Sequence, residues 1–412
     1  MLNGVTIKKS DNGLGKQATS KDMIMGLIMG GVATTTTSTT SALALNTPVK
    51  LLSVDDAKSY GLDAAYDTTN STLVYHHISE FFRLNPNGQL WIMLVARTTS
   101  LSAMVNPATS NMATLLLTTA NGEINVLGVV RNPATTYTAT LASGLDNEVS
   151  PAISMAQTLA DAEWDNHRPV HIVIEGRSYN GSASAALDLR TLNSDSVSCI
   201  IAQDKDIAGL HAIHHGYAAV GVMLGLLSAA KVSENIGWVE KFPINDVANG
   251  LMVNPSLSNY SLVNTLSPVD YTALHDKGYI MPRLYADDTN VYLNDDHTCA
   301  AITNDYAQIV NNRTINKAAK GIYKALLPQT NGGVPVEADG TMTAEFVGGL
   351  ESKGEAPLDE MKRNNELSAR VFYINPAQNV VSTSNVATRA RIIPIGCSRY
   401  IDVDLGLTAK IS

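Results

Sequence analysis

The sequence predicts an α/β fold: a mainly parallel sheet body covered by helices, an α+β C-terminal part, and extended N- and C-terminal β arms. Three observations predict it. Apolar runs such as LWIMLVA, INVLGVV and VHIVI lack polar alternation, as strands buried on both faces do. Segments of helical length separate these runs, the rhythm of βαβ units. The two ends instead alternate with period two. Ile401, Val403, Leu405 and Leu407 alternate with Asp402, Asp404, Gly406 and Thr408, and more briefly Val5 and Ile7 alternate with Thr6 and Lys8. No later run in the sequence offers the C-terminal stretch a partner, so its partner is expected elsewhere.

The elements follow in order. Residues 23–33 predict a core strand whose glycines allow close backbone approach. A Thr/Ser-rich loop leads to a brief strand near 49–52. Ser53 is placed to cap a helix from Val54, with Asp55 and Asp56 in its first turn, where they suit the helix dipole. Asn70 or Ser71 is expected to open the next helix, through HHISEFFRL, and Pro86-Asn87-Gly88 to stop it. After the strand at 90–96, residues 101–120 favour helix. Ser150-Pro151 predicts a helix to about Trp164, with proline in its first turn. A helix near 183–192, a strand at 197–202 and a long, buried, all-round apolar helix over about 211–230 come next. From Tyr271 the pattern predicts antiparallel strands in GYIMPRLYAD and NVYLNDDHTCA and an amphipathic helix at 305–326. Helices at 342–350 and 357–369 and strands at 370–374 and 389–395 complete this part. The divisions expected are an N-terminal arm (1–22), an α/β body (23–265), an α+β inner domain (266–399) and a C-terminal strand arm (400–412).

Composition bounds the partners. The net charge is −9 with a pI near 5.5, which argues against nucleic acid as a ligand. Only 16% of residues are charged, against about 25% in typical soluble domains, as expected of a surface made for permanent contacts. Cys199, Cys299 and Cys397 are too few and too scattered for a disulfide framework or a zinc site. Lys8, Lys9, Lys16 and Lys21, the apolar run at 23–33 and Ala42-Leu43-Ala44 imitate a signal peptide. Asp11, Asp22, three glycines in the run and the intervening TTTTSTT oppose that reading. The run is also shorter than the roughly 20 apolar residues a membrane span requires. A buried strand is preferred, with no signal peptide and no membrane insertion.

Candidate chemistry is thin. His211, His214 and His215 follow Asp204 and Asp206. A helix would put His211 and His215 on one face, but the glutamate of an HExxH zinc motif is missing. Caps at a helix start are the plainer account. His76 and His77 are adjacent and cannot share a face. The acidic stretch Asp287, Asp288, Asn290, Asp295, Asp296 lacks the central glycine of a calcium loop and is expected to be a solvated connection. Gly13-Leu14-Gly15-Lys16 lacks the spacing and preceding strand of a phosphate loop. No catalytic, cofactor-binding or metal residue is therefore assigned. The alternative left open is a soluble α/β enzyme with a site near His211 and His215.

The order of elements resembles the sheath proteins of contractile phage tails and related injection systems. Four stretches carry the likeness: MIMGLIMGGVATTTT with LNTPVKLLSVDDAKSYGL; HHISEFFRLNPNGQLWIMLVA; AAVGVMLGLLSAAKVSENIGWVEKFPI; and YAQIVNNRTINKAAKGIYKALL followed by ELSARVFYINP and RARIIPIGCSRYIDVDLGL. The resemblance implies a non-enzymatic subunit that stacks as hexameric rings around an inner tube and contracts to drive the tube through a target envelope. It implies partners: other copies in a helical homo-oligomer, the tube protein, and baseplate and terminator proteins. It also implies assembly in a bacterial cytoplasm and residence in a virion tail or contractile particle. Arm contacts are then expected from Val5, Ile7, Ile401, Val403, Leu405 and Leu407. By position, Asp359, Glu360, Lys362, Arg363 and Glu366 are either the tube-facing surface or an ordinary solvated helix face.

Overall fold

The computed structural model describes residues 21–38 and 40–408. Its centre is a six-stranded sheet, built from β1 (Ile24–Gly31), β2 (Val49–Leu51), β3 (Gln89–Ala96), β4 (Val126–Val130), β7 (His171–Glu175) and β8 (Val197–Ile200), with β5 (Leu141–Ala142) and β6 (Leu145–Asp146) forming a separate small ribbon. The strand order is β2-β3-β1-β4-β7-β8. All pairs are parallel except β2 with β3. The run that imitates a leader is β1, the fully buried middle of this sheet.

Alternation on the strands sorts two apolar layers. Met25, Leu27 and Met29 face α1 (Val54–Ser59), α2 (Ala64–Asn70), α3 (Val74–Leu84) and α8 (Val220–Ala229). Ile28, Met93 and Val129 face α4 (Leu101–Met104), α5 (Ala113–Thr119), α6 (Val149–Asp165) and α9 (Pro268–Asp276). A one-turn helix, α7 (Lys205–Ala208), follows the short strand β9 (Ala202–Asp204), which pairs with β10 (Pro255–Leu257). Helix α8 is buried along nearly its whole length because glycines let it approach its neighbours. A Cβ at Gly128 on β4 would meet Val220 and Leu224 at 2.7 Å, and one at Gly221 would lie 2.3 Å from the His77 carbonyl oxygen on α3.

The second part begins with the ribbon β11 (Pro282–Leu284) and β12 (Val291–Leu293). It continues as α10 (Ile309–Leu326), α11 (Ala344–Arg363), the strand β13 (Leu367–Ile374), a turn of helix α12 (Val380–Thr383), and β14 (Thr388–Pro394). β13 and β14 form an antiparallel hairpin. Phe372 and Ile374 on one face of β13 pack against α11, and Leu367 joins Leu358 and Met361 beneath α10.

Several expectations are corrected. Asn70 and Ser71 do not open α3. Asn70 ends α2, and Ser71, with φ of 48°, closes it in the left-handed conformation. Residues 183–192 contain only a 3-10 turn at Leu189–Leu192, capped by the Asp188 side chain. The helix over 211–230 is two pieces: a 3-10 turn at Ala212–Gly216, extended backbone at Tyr217, then α8. Residues 101–120 hold two short helices rather than one. Pro357 begins no helix. It lies inside the continuous α11, and Ala369 belongs to β13. Asp295 and Asp296, expected in a solvated connection, are buried.

Candidate assembly surfaces

Within the chain, residues 401–408 form no strand. Ile401, Val403, Leu405 and Leu407 are 81%, 77%, 92% and 107% exposed, so the apolar positions of the pattern touch almost nothing of their own body. Asp402 and Asp404 are equally open. Val5 and Ile7 lie outside the described residues.

The β13–β14 hairpin is the matching feature. Among the described residues it is a two-stranded sheet, and no further strand of them hydrogen-bonds to either long edge. Its outer face carries Val371, Tyr373 and Ile393, about half exposed, with Arg389 and Arg391 on β14. Sequence reading found the strands but missed this face. The signal was there in the alternation of Val371 and Tyr373 with Phe372 and Ile374.

The predicted tube-facing residues separate into two groups. Asp359 is ion-paired to Arg370 at 2.6 Å, and Glu366 is buried and bonded to Lys317 at 2.7 Å. Glu360, Lys362 and Arg363 are exposed along α11 and its end.

The histidines are used locally. The ring of His211 caps the 3-10 turn by accepting from the Ile213 N–H at 3.1 Å. His214 is buried, and His215 stacks on Tyr260 with centroids 4.3 Å apart. His77 accepts from the Gly221 N–H at 3.1 Å. His275, Asp295 and His297 are spaced closely enough for a metal ion. Their hydrogen bonds already account for them. Arg190, a pure donor, meets His297 Nδ1 at 3.1 Å, so the proton of a neutral ring sits on Nε2 and is given to His275 Nδ1 at 3.2 Å. Asp295 accepts from Asn235 and Arg399. At the carboxyl ends of the parallel strands, where α/β folds commonly bind ligands, Arg131 pairs with Glu148 at 2.7 Å and Arg177 with Glu175 at 3.3 Å. Among the described residues no helix is long and apolar enough to cross a membrane.

The fold is similar to that of solved chains from contractile injection systems. It superposes on a chain of the anti-feeding prophage (AFP) baseplate with a TM-score of 0.62 at 12% identity, covering 99% of both chains. It matches the AFP helical sheath in its contracted state with a TM-score of 0.61 at 13% identity, covering 98% of this chain and 99% of that one. The contracted PVC sheath of an extracellular contractile injection system gives 0.58 at 10% identity, covering 99% and 98%. A search of curated protein sequences returns no match. The chain belongs to the DUF2586 family: the model of that family's N-terminal domain matches residues 2–297, and that of its C-terminal domain matches residues 305–412.

Proposed function

We propose that the chain is the structural subunit of a contractile sheath. Subunits stack as hexameric rings around an inner tube, stay joined through their arms, and contract to drive the tube through a target envelope. The observation that carries this reading is the segment 401–408: apolar teeth at period two, all solvent-exposed in their own chain, on a body with a sheath fold.

In this reading the C-terminal arm of one copy adds to the open edge of another copy's β13–β14 hairpin, by β-augmentation. The eight residues 401–408 match the seven of β14 in length. Neighbouring strands keep paired side chains on the same face. If Asp402 and Asp404 lie beside Arg389 and Arg391, then Ile401, Val403, Leu405 and Leu407 fall on the inner face, toward α10 and α11. Charge and apolarity then select the same register, and a slip of one residue loses both. The N-terminal arm, with Val5 and Ile7, supplies a further strand.

Contraction is rigid-body repacking of subunit bodies between two arrangements while the arms hold. A gap of a few kcal/mol per subunit, of the order typical of conformational equilibria, suffices when many copies move together. No catalytic group or cofactor is required. Glu360, Lys362 and Arg363 on α11 are the proposed tube contacts, and the remaining partners are baseplate and terminator proteins.

Negative-stain microscopy of the full chain co-expressed with its tube protein tests the proposal. Tubes with a helical lattice are expected. A discrete monomer at high concentration with tube protein present would overturn it.

A further inference from the structure

The roots of the two arms, Asp22 and Arg399, lie beside one helix, α10, and each is held by an ion pair. At the C-terminal root, Arg399 Nε donates to Asp295 at 3.0 Å and Nη2 to Asp296 at 2.8 Å. Tyr400, the next residue, is 81% exposed. The two carboxylates are buried side by side. Asn235 Nδ2 bridges them at 2.6 and 2.8 Å. Asp296 also seals the N-terminus of α10: its backbone oxygen accepts from the Ile309 N–H at 2.8 Å and its carboxylate from the Val310 N–H at 2.9 Å. Two buried carboxylates repel each other, so burial and Asp295 push the Asp296 carboxyl up, and Arg399 is the cation that offsets this.

At the N-terminal root, Asp22 pairs with Lys317 of α10 at 2.5 Å. Lys317 also binds Glu366, just before β13, at 2.7 Å. Lys320, one turn on, donates to Asn125 Oδ1 at 2.9 Å, while Asn125 Nδ2 donates to the Lys21 carbonyl at 2.6 Å. The two anchors are seven residues apart on one helix, about 10 Å at 1.5 Å per residue.

We infer that Arg399 and Asp22 are positioning residues that lock both arm roots to α10, so that the spacing and exit direction of the two arms stay fixed within a subunit while whole bodies move. Tension between neighbours then runs from arm to arm through one helix and bypasses the sheet. This inference rests on the sheath reading for its purpose, though not for its geometry.

The test uses the full chain and the double variant Arg399→Met with Asp295→Asn. It removes one cation and one anion together and so leaves no additional unpaired charge in the pocket. Asp22→Asn probes the other root. A spin label on Cys397, which is exposed while Cys199 and Cys299 are buried, reads the mobility of the arm root, and the threshold concentration for tube formation reads assembly. The double variant is expected to melt within a few degrees of the parent, to shorten the label's rotational correlation time severalfold, and to raise the assembly threshold at least tenfold. Asp22→Asn is expected to raise the threshold by a smaller factor, because Lys317 retains Glu366. An unchanged label spectrum in the double variant would overturn the anchoring. If the parent itself never polymerises, the sheath reading fails, while the label's mobility still decides the anchor.

Discussion

Replacing Val403 and Leu405 with aspartate separates folding from assembly. In the free chain the two side chains are 77% and 92% exposed, so the body loses almost no contact when they change. Surface substitutions of this kind usually fall within about 0.5 kcal/mol. In the proposed contact both are buried against another subunit. Burying such an aliphatic side chain contributes about 1.5–3 kcal/mol, so losing two removes roughly 3–6 kcal/mol per contact before any penalty for a buried carboxylate. At 1.4 kcal/mol per tenfold, that weakens association by about 10²- to 10⁴-fold. Urea unfolding of the monomer, set beside the tube-forming threshold by sedimentation, measures both quantities. The expected result is an unchanged urea midpoint with assembly lost over the accessible concentration range. Tubes at the parental threshold would refute the arm contact. A monomer destabilised by several kcal/mol would show that the arm packs on its own body.

Three further predictions follow from the same geometry. Gly221→Ala places a Cβ 2.3 Å from the His77 carbonyl and 2.7 Å from its Cα, both backbone atoms that cannot rotate away, so overpacking of about 1–3 kcal/mol or more should exceed a helix-propensity gain of up to ~1 kcal/mol. Gly348→Ala in α11 meets nothing within 4 Å and should stabilise by up to ~1 kcal/mol; equal signs for the two in urea unfolding would contradict the packing argument. Acid should destabilise the monomer from about pH 6.5 downward. Burial holds His171, His214 and His297 neutral, with pKa values lowered to about 3, whereas the unfolded chain takes up protons there below 6.5. Each such histidine removes about 1.4 kcal/mol per pH unit over that window. His76, His77 and His275, also lowered by burial, add to this loss, whereas Asp67, raised to about 6 by burial, and Glu163, Glu175, Asp204, Asp296 and Glu366, raised by burial as well, act in the opposite sense. A urea midpoint that stays flat from pH 6.5 to 5 would contradict this. Finally, Glu360→Lys with Lys362→Glu and Arg363→Glu should reduce tube co-sedimentation while leaving sheath–sheath contacts intact, and unchanged co-sedimentation would remove α11 as the tube surface.

Much of the sheet was legible because strands covered on both faces need unbroken apolar runs. β1, β3, β4, β7 and β8 all carry one, to within two or three residues at each end. The helix boundaries were less legible because they depend on partners distant in sequence. Ser71 favours opening a helix, yet it closes α2 in a left-handed turn, where Arg97 donates to its carbonyl at 3.0 Å, and Asp67 takes up the start of α3 by accepting from the His76 N–H at 2.9 Å. Apolar composition likewise cannot show that Tyr217 breaks the run before α8, because the break depends on its hydroxyl, which accepts from the Asp204 N–H at 2.9 Å. Pro357 reads as a helix start, yet its residue at i−4, Lys353, is exposed, and its ring packs on Gly321 of α10 instead of ending α11. The arm pattern was visible because it is local. The Arg399 anchor was not, because its carboxylate partners lie over a hundred residues earlier, in a stretch that by composition alone looks solvated.

The central claim is that residues 400–412 function by pairing with another copy. The direct measurement compares the full chain with a chain lacking 400–412, by microscopy for tubes and by thermal unfolding for the body. The account predicts helical tubes from the full chain, and from the truncated chain a cooperatively folded body that forms none. Tubes from the truncated chain would contradict it.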